Sequence, residues 1–161
     1  MKKIMILIAL LLIAGACAHG GYVVKKGIQD AAIAIKTADE LLDKAIPVLG
    51  EKFTQELIGT CPTREECEEQ WADKMSRVEQ AVSSLEIAKD LLLKFEKLFL
   101  SMEEGKTKKS PSRLIVKAAN ILHHLRSALK DLEAVGVNTD EVADAVRIME
   151  GIAEALKGGE L

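Results

Sequence analysis

Aromatic residues are nearly missing from this chain: Phe, Trp and Tyr together make up 3% of its 161 residues. Strands favour aromatic and β-branched side chains on a half-buried pleated surface, so a sheet protein is a poor reading of this composition. Only three prolines and eleven glycines punctuate the sequence, and long uninterrupted elements are expected. A basic surplus is also lacking, with 22 Lys and Arg against 25 Asp and Glu. There is no glycine-rich phosphate loop, no haem-type Cys–His motif and no Ser–His–Asp arrangement that can be placed. No catalytic residue, cofactor or metal site is therefore expected. What the sequence has in quantity is Leu, Ile, Val and Ala, within an apolar share of 48%, which suits helices.

The first residues have the organisation of an export signal. Met1-Lys2-Lys3 is a short positive segment, Ile4 to Ile13 an unbroken apolar run, and Ala14-Gly15-Ala16 a small-residue stretch before Cys17. That order is the one a secretory signal peptide requires. The apolar run is too short for a membrane span, which needs about 20 residues. Ile13-Ala14-Gly15-Ala16-Cys17 resembles the lipobox of bacterial lipoproteins, although these most often carry Leu where this chain has Ala14. The resemblance covers only the first seventeen or so residues. It implies cleavage of residues 1–16, lipidation of Cys17 with acyl chains of the palmitate type, and a lipid-anchored place in the cell envelope. Ala18, rather than Asp, after the cysteine implies outer-membrane sorting, facing the periplasm, in a Gram-negative host. A plain signal peptide is the competing reading, since Ala14-Gly15-Ala16 and Ala16-Cys17-Ala18 are also A-x-A sites. Residues 17–22 would be a short tether, at most about 17 Å across its five residues after Cys17 if extended.

Removing residues 1–16 leaves 145, enough for one domain with a core, placed at 23–159. Taking Lys2 and Lys3 from the 22 basic side chains leaves 20 against 25 acidic ones, a net charge of −5. That balance argues against nucleic acid as a partner and against membrane attachment by charge alone. The membrane contact expected is the N-terminal lipid.

Three cysteines are an odd number for an exported chain. With Cys17 consumed by lipid, Cys61 and Cys67 form an even pair for an oxidising compartment. Thr63-Arg64-Glu65-Glu66 reads as a capping box, in which Thr63 caps the third amide and Glu66 reaches back. A Cys61–Cys67 disulfide would staple that helix start. The five intervening residues do not match the two-residue spacing of redox or zinc pairs.

Four apolar stripes follow. In the first, Val24, Ile28, Ala31, Ile35, Ala38, Leu42, Ala45 and Leu49 step by fours and threes, as helical heptads do. Pro47 is expected to kink or break that helix, with residues 51–58 as a short continuation. The second helix begins after Thr63 and runs to Met102; its stripe includes Trp71, Met75, Val78, Val82, Leu85 and Ala88, with a register change at the 3-3 step. Ser110 is expected to cap a third helix that opens with Pro111 and carries Ile115, Ala118, Leu122, Leu125, Leu129 and Leu132 at heptad spacing. Gly136 should end it in a Schellman turn, and Asn138 or Thr139 should cap a fourth, which carries Val142, Val146, Met149, Ala153 and Leu156. The fold class expected is all-α, an antiparallel helical bundle of three to four helices.

Charged and polar clusters have ordinary explanations. Glu65, Glu66, Glu68, Glu69 and Asp73 sit where carboxylates complement a helix dipole. His123 and His124 diverge by about 100° on a helix and cannot share one metal. Lys106, Lys108, Lys109 and Arg113 read as a solvated linker. The function expected is non-catalytic: an envelope lipoprotein whose bundle is a protein-interaction module. A carrier or sensor of an apolar ligand, and an inhibitor or exclusion factor acting on an envelope component, are the alternatives.

Overall fold

The computed structural model describes the backbone of residues 2–59, 62–106 and 110–158. Side chains are described for residues 21–22, 24–40, 42–44, 46–55, 62–106 and 110–158. Four helices occur in these stretches, α1 (Lys2–Gly59), α2 (Arg64–Glu103), α3 (Pro111–Ala134) and α4 (Asp140–Lys157), with no strand among the described residues. α1 packs on α2 and α4, and α3 packs on the same two helices, so the four close into a ring. The protein is an all-α helical bundle, and its short connections reverse the chain at each corner.

The stripes explain why these helices associate. On α1, the six positions Val24 to Leu42 expected to face inward are all buried. On α2 the buried residues are Cys67, Val78, Ala81, Leu85, Ala88, Leu92, Phe95, Phe99 and Met102. The register change expected at Val82 does not occur, because the stripe passes through Ala81 and keeps alternating threes and fours. A small residue there lets a neighbouring backbone come close, while Val82 is only half-buried. No polar or charged residue is buried among the described side chains.

The helix ends show how the turns are made. Gly136 adopts φ +72°, the amide of Val137 donates to Leu132 O (3.1 Å) and that of Gly136 to Glu133 O (3.1 Å). This is the expected Schellman motif, at a left-handed position that favours glycine. Gly105, at φ +69°, ends α2 the same way, with Lys106 N–H on Ser101 O (2.9 Å) and Gly105 N–H on Met102 O (3.2 Å). Ser110 stands at the start of α3 but its side chain makes no capping bond; its Oγ lies 3.2 Å from Ser112 Oγ instead. At α4, Asn138 Oδ1 accepts from the Asp140 amide (2.9 Å), whereas the side chain of Thr139 caps nothing.

One expectation about α1 is corrected. The helix contains Pro47 and runs on to Gly59, so the chain does not break there, and a kink is not shown. Proline removes one amide donor, yet both Pro47 and Asp43, four residues earlier, are exposed; water can satisfy the freed carbonyl. Residues 17–22 are helical and continuous with α1, so no loop separates the expected tether from the bundle.

α1 and α4 come close at Gly27. A Cβ there would lie 2.8 Å from Cγ1 of Ile152, a residue 2% exposed. Gly27→Leu overpacks this contact at a cost of about 1–3 kcal/mol, against at most about 1 kcal/mol regained from helix propensity. A net loss of stability is expected in chemical denaturation, partly recovered when Ile152→Ala is added. Unchanged stability in the single variant would mean that α1 and α4 do not meet there.

Candidate interaction surface

α1 and α2 form a long antiparallel hairpin whose register is fixed at three levels. A Cβ at Gly21 would stand 3.1 Å from Oε1 of Glu103. Lys89 pairs with Asp39 at 3.9 Å, and Phe53 stacks on Trp71 with ring centroids 4.3 Å apart and planes 13° from parallel. The hairpin outruns the main buried cluster of the bundle. Leu42 and Ala81 are the last members of the main buried cluster on the arm side; past them, neither helix contributes to it. α3 and α4 have 24 and 18 residues against 40 in α2, and the end of α3 reaches the arm, where Ala134 lines a hollow with Glu66, Asp73 and Arg77.

The arm carries its own fastenings. Thr63 Oγ1 accepts from the Glu66 amide at 3.3 Å, forming one half of the expected capping box. Cys67, one turn into α2, is 3% exposed but outside the main cluster. Cys61 lies outside the described residues, and so do Lys108, Lys109 and the side chain of Cys17. The Phe53–Trp71 stack was not anticipated. The two residues are nearly equidistant from the facing helix ends at Gly59 and Arg64, which is the signal a hairpin register would have supplied.

The other singled-out residues are not brought together into a site. Of the acidic cluster, Glu68 pairs with Arg64 (2.7 Å) and Asp73 with Arg77 (3.1 Å), each within one helical turn. The hydrogen bond from Arg64 to Glu68, and then the carboxylate's charge, hold the guanidinium above its ordinary pKa. His123 and His124 meet edge to face at 5.3 Å, with His123 exposed. Lys106 pairs with Glu104 at 2.6 Å, and Arg113 is exposed. Among the described residues, no group of three or more His, Cys, Asp or Glu is placed to hold a metal. Nor is any helix, among those residues, long and apolar enough to cross a membrane.

The outer side of the hairpin holds two hollows open to solvent. One, of about 400 Å³, has Ile28, Ala32, Ile35, Leu92 and Leu93 between charged edges that include Lys36, Asp39, Lys89 and Glu96. The other, of about 420 Å³, is lined by Ile46, Met75, Val78 and Val82 with Glu79, Ser83 and Glu86. Leu93 remains 50% exposed on this side. Such an arrangement can bind by burying apolar surface, with charge to orient what binds.

No family model matches the chain, and neither a curated protein nor a solved structure does.

Proposed function

We infer that this chain is a bacterial cell-envelope lipoprotein, anchored by lipid on Cys17, whose bundle binds another protein close to the membrane without catalysing a reaction. In a Gram-negative host, Ala18 directs it to the outer membrane, facing the periplasm. The observation that carries the binding role is the hairpin of α1 and α2. It continues past the buried cluster and leaves apolar side chains, Leu93 among them, open to solvent. Protein partners favour such open surface, whereas a carrier of a small apolar ligand needs an enclosed cavity, and the two hollows of the hairpin are open grooves. Crosslinking in intact cells followed by affinity purification of the full chain tests the reading. A specific protein partner is expected; recovery of lipids with no protein would overturn it.

The arm is closed, in this reading, by a Cys61–Cys67 disulfide. Cys67 is buried at the start of α2 and is not a free thiol. A loop this small stabilises by about 2 kcal/mol on the chain-entropy account. Thiol titration under denaturing conditions of natively exported protein should find neither cysteine reactive before reduction. Two reactive thiols would remove the bridge from the account.

A further inference from the structure

The two hollows lie end to end along one side of the hairpin and together make a groove. Asp43 of the first and Ile46 of the second stand less than one helical turn apart on α1, and Lys89 and Glu86 likewise on α2. On α2, Val82, Glu86, Lys89, Leu93 and Glu96 follow one another at steps of four and three, so they line one side of the helix. From Ile28 to Ile46 the groove is about 27 Å long, the length of an 18-residue helix. Apolar side chains line each hollow, and between Val82 and Leu92 the Lys89–Asp39 pair crosses from α2 to α1.

The rim decides what fits. Lys36 pairs with Glu40 (3.6 Å) and Lys89 with Asp39 (3.9 Å), so the two lysines are already neutralised. Asp43, Glu79, Glu86 and Glu96 make none of the ion pairs of the described residues. Four uncompensated carboxylates therefore border an apolar floor. We propose that this groove takes one amphipathic helix of a partner protein, with its apolar face on the floor and Lys or Arg along both edges. Helix-in-groove recognition uses apolar anchors at helical spacing, and opposite charge at the rim sets orientation and excludes acidic helices. The proposal rests on the protein-binding reading and names the partner's chemistry.

The probe is an 18-residue Leu–Lys amphipathic peptide bearing a fluorophore, set against a Leu–Glu peptide with the same apolar face. Binding to the full chain in non-ionic detergent micelles is read by anisotropy, with partition into empty micelles subtracted. The Leu–Lys peptide is expected to bind at least tenfold more tightly than the Leu–Glu peptide. The gap should narrow at high salt and close in Glu79→Lys/Glu86→Lys. Both positions are exposed, and circular dichroism reports whether that variant keeps its helices; should it not, Leu93→Asp is read in its place, with loss of Leu–Lys binding expected. Equal binding of the two peptides, or undiminished Leu–Lys binding in the folded variant, would overturn the proposal. The peptide experiment reads the groove alone. Failure there with a partner recovered from cells removes the groove and keeps the interaction module, while the reverse result removes the cellular reading.

Discussion

Replacing Phe95 with alanine is expected to lower stability by about 3–5 kcal/mol, the cost of deleting a buried aromatic ring from a packed core. Phe95 is fully buried on α2, among the residues that join that helix to the main cluster. In a chain of this size each kcal/mol moves the melting temperature by roughly 2–4 °C, so a fall of roughly 6–20 °C should appear in a thermal scan. Leu93→Ala, two residues earlier on the open face, supplies the contrast: its side chain is half exposed, and a loss below about 1 kcal/mol is expected. Similar losses in the two variants would mean that α2 presents a different face to the bundle.

Cys17→Ser should abolish lipid attachment altogether. Cells given a palmitate analogue with a chemical handle are expected to label the unaltered chain and to leave the variant unlabelled. A single acyl chain binds a membrane only marginally, and stable anchoring takes more than one, so a diacylated cysteine is the chemistry that would hold this domain at a surface. In the proposed reading the effect is all or none, because Cys67 is not a free thiol and Cys61 is proposed as its partner. Persistent labelling of the variant would place the lipid elsewhere.

Much of the fold was legible because every helix repeats its apolar residues at heptad spacing. Val24 to Leu42 on α1 and Val142 to Leu156 on α4 face inward as the spacing requires. The boundaries of α2, α3 and α4 followed from local chemistry, through Thr63, Pro111, Gly136 and Asn138. The α2 register was less legible, since Ala81 and Val82 are adjacent and both apolar, and volume alone favoured the larger. What chose Ala81 was its place in the buried cluster shared with the other helices, a tertiary fact. Pro47 misled for a related reason: the rule that proline ends a helix assumes that the freed carbonyl has no other partner, and an exposed turn gives it water.

The candidate surface was legible only in pieces. Trp71, Met75 and Val82 were read as core because helical spacing does not reveal how far the neighbouring helices extend. The unequal helix lengths carry that information, and they matter once the hairpin register pairs Phe53 with Trp71. Asp43, Glu79, Glu86 and Glu96 lie on two helices in separate stretches of the sequence, and no motif joins them. The groove is a property of the register between α1 and α2.

The placement proposed for this chain in the cell envelope depends on what becomes of its first seventeen residues. Mass spectrometry of the mature N-terminal peptide, taken from the chain isolated from its host's membranes, reads this directly. The account predicts a peptide that begins at Cys17 and carries the added mass of diacylglycerol on that residue. An unmodified N-terminus at Cys17 or at His19 would contradict it.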